Sequence, residues 1–191
     1  MIFTETRLKG SFVVDIEQTG DERGFFTRVF CQREFAARGL RNVMAQANIG
    51  FNFRKGTVRG MHFQSAAVPE AKFVRATRGA VLDVMIDLRP ESPTYLESVA
   101  VELSAENRRA LYIPERFAHG YQVLEDNTET MYHADEFFAP DASGGLRFDD
   151  PRLGLVWPHP VSVVSAKDRV WPLLSECEAD LKARMNLKER S

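Results

Sequence analysis

Short strand patterns follow one another at close intervals along most of this chain. The clearest is Val81–Leu88, where an apolar face (Leu82, Val84, Ile86, Leu88) alternates with a face that carries Asp83 and Asp87. The sequence has no strand–helix alternation of the doubly wound type and no glycine-rich phosphate loop. We therefore predict an all-β protein, an antiparallel barrel or double-sheet jelly roll. The predicted strands are Phe12–Ile16, Phe25–Phe30, Val43–Phe51, Thr57–Gln64, Lys72–Thr77, Ala80–Leu88, Ser98–Leu103, Ala110–Ile113, Gly120–Leu124 and Glu129–Ala134.

Helices are predicted only as short peripheral elements. One covers Glu34–Arg38 and is stopped by Gly39, and residues 171–185 have apolar side chains at helical spacing. The chain has 191 residues, against about 150 for an average domain. Because no linker, repeat or low-complexity tract divides it, we expect a single domain over residues 1–191, with residues 171–191 as a C-terminal helical extension.

Charge and composition argue against several classes of function. The chain has 25 Lys and Arg residues and 27 Asp and Glu residues, for a net charge of −2. It therefore lacks the excess of positive charge that is typical of proteins that bind nucleic acid or a membrane surface. No apolar run approaches the roughly 20 residues of a membrane span, and the first residues lack the features of a signal peptide. Cys31 and Cys177 match no metal or redox spacing. We expect a cytoplasmic protein without nucleic-acid or membrane partners.

The octapeptide Thr57–Gln64 places an arginine, a glycine and a histidine within four residues of one predicted strand. Arg59 is a permanent cation suited to phosphate, and His62 can exchange a proton near neutral pH. Strict alternation would put these two side chains on opposite faces. Gly60 is a natural place for a β-bulge that turns one of them. Taken alone, the octapeptide fits equally well an edge strand with a solvated arginine and a packed histidine.

Further candidates for proton transfer are scattered along the chain. His119 begins a strand after Pro114, Tyr132 lies in the middle of a strand, and Lys72 opens one. Asp168 lies in a segment that reads as a surface loop. Each residue alone is more typical of a structural or solvent-facing role. Together they supply the base, acid, orienting carboxylate and cation that a proton-transfer site needs.

A metal centre is the competing use of two histidines in a barrel. Metal-binding jelly rolls usually present His-x-His on one strand, with a glutamate a few residues later. Here His62 is followed by Phe63 and Gln64, and His119 has no ligand partner at a short spacing. We therefore predict no metal and no cofactor, and keep a metal-dependent protein of the jelly-roll type as a third hypothesis.

Several segments, in order along the chain, look like the motifs of one family. They are Asp21–Phe26, Arg59–Gln64, Lys72–Val74, Asp83–Arg89 with Ser92–Thr94, Phe117–Gly120, Asp149–Pro151, Trp157–Pro158 and Lys167–Asp168. From about residue 8 to residue 172 the sequence thus resembles the dTDP-4-dehydrorhamnose 3,5-epimerase family, the RmlC-like cupins. The resemblance implies a homodimeric cupin-type jelly roll, an isomerase of deoxysugar and polysaccharide biosynthesis that works without a cofactor.

The resemblance also implies a reaction and the residues that perform it. The substrate would be a nucleotide-linked 4-keto-6-deoxy sugar, whose ketone acidifies the hydrogens on C3 and C5. Carried over to this sequence, His62 removes the proton and is oriented by Asp168. Tyr132 returns a proton on the opposite ring face. Lys72 stabilises the enolate oxygen, and its charge is also expected to stabilise the phenolate of Tyr132.

A binding set follows from the same resemblance. Arg59 and His119 would hold the sugar and diphosphate, and Arg23 would hold phosphate, from the partner subunit if the N-terminal segment is exchanged. Asp83 is expected to pair with His119. The remaining implied substrate-binding residues are Phe26, Gln46, Asn48 and Phe138, the last stacking on the base. The dimer follows because Arg23–Phe26 resembles a segment that reaches a neighbour's site.

Five departures from the family pattern concern segments expected to face the ligand. Arg28 and Ser143 stand where the family usually has glutamate, Gly50 where it has serine, and Arg116 where it has glycine; the segment before Gly56 is one residue longer. They leave open the nucleotide, the sugar and whether C3, C5 or both are inverted. The alternative function is a sugar-nucleotide ketoisomerase or a non-catalytic binder on the same fold. Epimerisation is favoured because base, orienting carboxylate and acid are all present.

Overall fold

The computed structural model describes residues 1–187 and shows a chain made mainly of strands. The strands are β1 (Ile2–Glu5), β2 (Phe12–Asp15), β3 (Thr19–Asp21), β4 (Gly24–Phe26), β5 (Gln46–Asn52), β6 (Val58–Gln64), β7 (Lys72–Arg78), β8 (Ala80–Asp87), β9 (Ser98–Ser104), β10 (Ala110–Ile113), β11 (Phe117–Val123), β12 (Thr128–Ala134) and β13 (Ser143–Gly145). The helices are α1 (Gln32–Ala36), α2 (Ala166–Arg169) and α3 (Leu174–Met185).

Two antiparallel sheets form the body of the molecule. The six-stranded sheet has the order β1-β2-β10-β7-β12-β5, and the five-stranded sheet has the order β13-β6-β11-β8-β9. Strands β3 and β4 form a separate hairpin. Sequential strands such as β8 and β9 pair directly, whereas β6 pairs with β11 across a long sequence separation. The prediction of an all-β antiparallel jelly roll with short peripheral helices is confirmed.

The main core fills the space between the two sheets. Val74 and Leu111 of the six-stranded sheet pack in one buried cluster with Met85 and Leu103 of the five-stranded sheet. Burying each such aliphatic side chain contributes roughly 1.5–3 kcal/mol. Strand β8 thus turns its odd-numbered residues to this core, so the face that carries Asp83 is interior rather than solvent-facing.

A second core covers the outer surface of the five-stranded sheet. Ile86 and Leu88, from the other face of β8, pack with Leu174 and Leu181 of α3. Both faces of β8 are therefore buried, although its sequence alternates an apolar face with one that carries two aspartates. Of the helical extension predicted over residues 171–191, α3 covers Leu174–Met185, and residues 188–191 lie outside the described part of the chain.

A third cluster attaches α1 to the outside of the six-stranded sheet. Phe35 is fully buried and makes edge-to-face contacts with Phe3, Phe73 and Tyr112. Gly39, with a φ of 69°, turns the chain away after the helix. In this position glycine is favoured because it adopts a positive φ without steric cost.

The N-terminal hairpin differs from the prediction. Thr19–Gly24, expected to be only a turn, supplies β3 and the start of β4, and the strand predicted over Phe25–Phe30 ends at Phe26. Beyond Phe26 the chain is held by side chains instead of a strand ladder. The Thr27 hydroxyl donates to the Glu17 carbonyl at 2.8 Å, and Arg75 donates to the Val29 carbonyl at 3.0 Å.

Two short elements next to the site are absent from the prediction. β13 contains two glycines in three residues, a composition that gives no strand signal. α2 is a single turn whose N-cap, Ser165, accepts the Asp168 N–H at 3.0 Å. The prediction of a surface loop at Asp168 is wrong, because this turn directs its carboxylate inward. Across residues 1–187 we find no helix with the length and apolarity needed to cross a membrane.

Candidate active site

A β-bulge in β6 directs Arg59 and His62 toward the same space. The register of β6 against β11 shifts here, so that Gly60 and Met61 together face Gly120. Gly60 has a φ of 130°, and a Cβ on it would lie 2.5 Å from the Gly120 Cα. Only glycine fits this close approach. The bulge predicted at Gly60 is therefore found, and it overrides strand alternation.

His62 and Asp168 form a hydrogen-bonded pair at the wall of a cavity. The distance from His62 Nε2 to Asp168 Oδ1 is 2.6 Å, with the aspartate side chain 4% exposed and the histidine side chain 45% exposed. Burial alone would raise the pKa of Asp168, but hydrogen bonds from His62, Trp171 and the Gly60 N–H outweigh burial and hold it below its ordinary value. Asp168 is therefore a carboxylate that fixes the imidazole through Nε2, which leaves Nδ1 as the nitrogen that can take a proton.

His119 and Asp83 form a second pair, deeper in the molecule. His119 Nε2 lies 2.9 and 3.0 Å from the two carboxylate oxygens of Asp83, whose side chain is fully buried. Burial raises the pKa of Asp83, and His119 opposes that rise. The expected pairing is present, and it fixes His119 beside His62, its cross-strand neighbour in β6.

Lys72 and Tyr132 approach from the opposite wall. Both lie on the six-stranded sheet, on β7 and β12, whereas His62 lies on the five-stranded sheet. The Lys72 ammonium is paired with the carboxylate of Glu70, and both side chains are largely buried. The His62 imidazole and the Tyr132 phenol therefore stand on facing sheets, on either side of the same cavity.

The surroundings of Tyr132 favour its neutral form. Burial raises its pKa, Glu70 and Tyr121 raise it further, and Arg59 opposes them. Tyr132 is therefore held as a neutral phenol, the form that an acid must have before it donates. Lys72, whose ammonium pairs with Glu70, is still expected to stabilise the phenolate, and this stays a prediction.

These side chains line two adjoining chambers that share Arg59, His62, Lys72 and Tyr132. The first, of about 420 Å³, we call the Ser143 chamber; its other polar lining residues include Glu70, Ser143 and Lys167. The second, of about 320 Å³, we call the Thr130 chamber; it is also lined by Asn48, Gly50, His119, Tyr121 and Thr130. Together the chambers have a volume within the range of ligand pockets.

The implied binding residues are only partly gathered here. Asn48 and Phe138 line the chambers. The side-chain oxygen of Gln46 accepts the backbone N–H of Phe138 at 2.9 Å, so it positions that segment. Arg23 and Phe26 lie on the β3–β4 hairpin, outside the chambers of their own chain; Phe26 is 82% exposed and Arg23 pairs with Asp21.

The departures from the family pattern separate into two groups. Ser143 and Gly50 line the chambers, while Arg28 is exposed beyond the hairpin. Arg116 precedes the segment that brings His119 to the Thr130 chamber, but its own side chain lines neither chamber. Its guanidinium donates twice to Glu91 at 2.6 Å and once to the Met185 carbonyl at 2.7 Å, so it anchors the end of α3.

Two residues of the site carry no sequence signal that predicts them. Glu70 stands two residues before Lys72, in a Pro-Glu-Ala segment that is typical of a solvated loop. Trp171 donates its indole N–H to Asp168 Oδ1 at 3.2 Å and begins a segment that reads as helical. Among residues 1–187, no three His, Cys, Asp or Glu side chains cluster in a way that could hold a metal ion.

Comparison with known proteins gives a consistent result. The family model described as dTDP-4-dehydrorhamnose 3,5-epimerase matches residues 5–176. The dTDP-4-dehydrorhamnose 3,5-epimerase of Methanothermobacter thermautotrophicus is 40% identical over 177 residues, which is 91% of this chain and 95% of that protein.

Solved structures agree with the sequence comparison. The dTDP-4-dehydrorhamnose 3,5-epimerase from Bacillus anthracis, with TDP and PPi bound, superposes with a TM-score of 0.87 at 35% identity, covering 91% of this chain and 99% of that one. A 3′-monoepimerase from Streptomyces bikiniensis in complex with dTDP-quinovose gives a TM-score of 0.85 at 26% identity, covering 93% and 90%.

Proposed function

This chain belongs to the dTDP-4-dehydrorhamnose 3,5-epimerase family, and from that premise we propose that it epimerises a dTDP-linked 4-keto-6-deoxyhexose at C3, C5 or both. The observation that carries the proposal is the placement of the His62–Asp168 pair and the Tyr132 phenol on facing sheets around one cavity. Inversion at carbon needs two groups on opposite ring faces, because one group can only return the proton to the face from which it came.

Proton abstraction is assigned to His62. Its Nε2 is bound to Asp168, so Nδ1 accepts the proton from the carbon next to the ketone. The C–H electron pair moves into the ring, and the ketone oxygen becomes an enolate. Asp168 stabilises the imidazolium that forms and keeps its ring in place, without taking the proton itself.

Lys72 is proposed to stabilise the enolate. Its ammonium lines both chambers, and one of its three donors is used by Glu70. The remaining N–H bonds are available to the oxygen as its negative charge develops. A cation already fixed near that oxygen needs no reorganisation during the reaction, and this is where such a group contributes most.

Tyr132 is proposed to complete the inversion. Its neutral phenol donates the O–H proton to carbon on the face away from His62, and the enolate returns to the ketone. The phenolate and imidazolium then exchange protons with solvent, so the cycle consumes no cofactor and leaves the substrate isomerised. A tyrosine, with a pKa of about 10, is protonated at neutral pH, and burial raises the pKa of Tyr132 further, so the proton is present before it is donated.

The nucleotide is proposed to occupy the Ser143 chamber and the surface beyond it. Phe138 offers an aromatic face for a base, and Arg59 and Lys167 offer cations for a diphosphate. The relatives with TDP or dTDP-quinovose bound support a dTDP-sugar for this chain.

A homodimer with exchange of the N-terminal segment is part of the proposal. The Arg23 and Phe26 side chains are implied ligand contacts that do not reach the chambers of their own chain, and both are exposed on the β3–β4 hairpin. A hairpin that extends to a second subunit would bring a guanidinium and an aromatic ring to the neighbour's nucleotide. It would also cover apolar surface that is exposed in a single chain.

The experiment that tests the function is turnover in D₂O. Purified protein is mixed with a dTDP-linked 4-keto-6-deoxyhexose, and deuterium at C3 and C5 and ring configuration are followed by NMR. We expect deuterium to enter at one or both carbons together with inversion. A ketone signal that moves to another carbon would instead identify a ketoisomerase, and binding without deuterium uptake would identify a non-catalytic binder.

A further inference from the structure

Asp168 has a third partner that the proposed reaction does not use. The indole N–H of Trp171 donates to Oδ1 at 3.2 Å, and this is the same oxygen that His62 Nε2 contacts at 2.6 Å. The other oxygen, Oδ2, accepts the Gly60 N–H at 3.5 Å. The carboxylate is therefore fixed from three directions, and the indole acts directly on the oxygen that faces the imidazole.

The five-stranded sheet fixes the position of the Trp171 indole. Its ring lies over Gly145, where a Cβ would come within 2.3 Å of Trp171 Cε2 and 2.4 Å of Nε1. Gly145 pairs with His62 across β13 and β6, so the ring is seated directly beside the base. The Lys167 ammonium lies 5.1 Å from the ring centroid, a distance typical of a cation–π contact.

We propose that Trp171 is a positioning residue for the reaction, which fixes Asp168 and thereby sets the orientation and proton affinity of His62. The inference rests on the proposed function, because it concerns the base of that reaction. An N–H that donates to Oδ1 withdraws part of the negative charge that would otherwise stabilise the imidazolium. Trp171 therefore limits how strongly Asp168 stabilises the imidazolium, and it holds the His62 ring in one direction.

Other charged or titratable side chains also influence how the His62–Asp168 pair responds to pH. The charged or titratable side chains that line the chambers with His62 and Asp168 are Arg59 of β6, Lys72 of β7, His119 and Tyr121 of β11, Tyr132 of β12, Lys167 of α2 and Glu70 of the loop before β7. Replacing Trp171 by phenylalanine changes none of these and keeps an aromatic ring over Gly145. A change in titration in that variant can therefore be attributed to the lost N–H.

The test compares Trp171→Phe with Trp157→Phe. The control also loses one indole hydrogen bond, from Trp157 to the Phe148 carbonyl at 2.9 Å, but this bond does not involve Asp168. In Trp171→Phe we expect the acid limb of kcat/KM to move to higher pH by about 0.5–1 unit and kcat on the plateau to fall about tenfold. Trp157→Phe should match the wild type in both respects. Identical profiles for all three proteins would overturn the proposal.

A titration without substrate separates this proposal from the proposed function. The chain has two tryptophans, so ¹⁵N-labelled indoles give two N–H signals, assigned by the Trp157→Phe variant. In the wild type, the Trp171 signal should move as the His62 imidazole titrates, and the Trp157 signal should not. A Trp171 signal that stays constant through that titration would contradict the proposal, whether or not the protein turns over a sugar nucleotide and whether or not Trp171→Phe folds.

Discussion

At the scale of single residues, the chemistry depends on pairs that are far apart in the sequence. His62 and Asp168 are separated by 106 positions, and His119 and Asp83 by 36. In each pair a buried carboxylate holds one ring nitrogen, which fixes the tautomer and leaves the other nitrogen for a ligand or proton. The two pairs differ in exposure: the His62 side chain reaches the cavity, whereas His119 is nearly buried.

Mutation can distinguish the proposed role of His62 as the base from that of Asp168 as the orienting carboxylate. We expect His62→Asn to reduce deuterium uptake by a factor of about 10³, within the range for loss of a general base. Asp168→Asn should reduce it less, because water and the remaining contacts still allow the imidazole to accept a proton. Exchange rates come from NMR in D₂O, with nucleotide binding by calorimetry as the control. Wild-type exchange in His62→Asn would disprove the assignment of the base.

A second prediction concerns the charge beside Tyr132. Glu70 raises the pKa of that phenol, so Glu70→Gln should lower it, and the phenolate should appear at a lower pH. Absorbance near the phenolate band follows the titration, and subtraction of the Tyr132→Phe spectrum isolates this tyrosine. If Glu70→Gln leaves the midpoint of the Tyr132 titration unchanged, or moves it to higher pH, Glu70 does not raise the pKa of this phenol.

At the scale of elements, the site depends on one irregularity in β6. The bulge lets Arg59 and His62 face one cavity, and it requires the backbone of Gly60 to pass within contact distance of Gly120. A second short element, α2, turns Asp168 inward from outside the sheet. The catalytic geometry is thus set where a strand is distorted and where a single helical turn is capped.

A pair of glycine substitutions separates the effect of the close contact at the bulge from the effect of a positive φ. Gly60→Ala adds both an unfavourable φ and a Cβ at 2.5 Å from the Gly120 Cα, whereas Gly24→Ala adds a similar φ, 126°, with no atom within 4 Å. We expect Gly60→Ala to be less stable than Gly24→Ala by about 1–3 kcal/mol and to lose deuterium exchange. Urea unfolding measures the difference, and equal stabilities would show that the contact at Gly120 is not tight.

Whether a feature of this protein can be predicted from its sequence depends on whether neighbouring residues or contacts between distant residues determine it. The bulge at Gly60 is predictable because glycine between two polar residues of a strand is a local signal, and the strands follow from local alternation. The inward turn of Asp168, the Glu70 carboxylate beside Lys72 and the Trp171 indole are not predictable in this way. Each depends on a side chain's surroundings in three dimensions, and nothing in their neighbouring residues distinguishes them from solvated loop residues.

At the scale of the whole molecule, each of the two sheets supplies part of the proposed site. The five-stranded sheet carries His62 and His119, the six-stranded sheet carries Lys72 and Tyr132, and the cavity lies where the sheets face each other. The hairpin that carries Arg23 and Phe26 stands apart from this body, which is why we propose that it serves a second subunit.

Mixing two inactive variants tests that exchange. If Arg23 acts in the neighbour's site, Arg23→Ala and His62→Asn chains that re-associate form heterodimers with one intact site each. Equal mixing should restore about a quarter of wild-type activity, because half the dimers are mixed and each has one working site. Light scattering checks that dimers form. No recovery after verified exchange of subunits would show that Arg23 acts within its own chain or not at all.

The central claim is that a base and an acid act from opposite walls, and Tyr132→Phe tests it most directly. This variant keeps the ring and removes only the phenolic oxygen, while His62, Asp168 and Lys72 are unchanged. In D₂O, with a dTDP-linked 4-keto-6-deoxyhexose, we expect NMR to show continued exchange of hydrogen for deuterium with retained configuration. Inversion at the wild-type rate in Tyr132→Phe would contradict the account and would assign Tyr132 a packing role only.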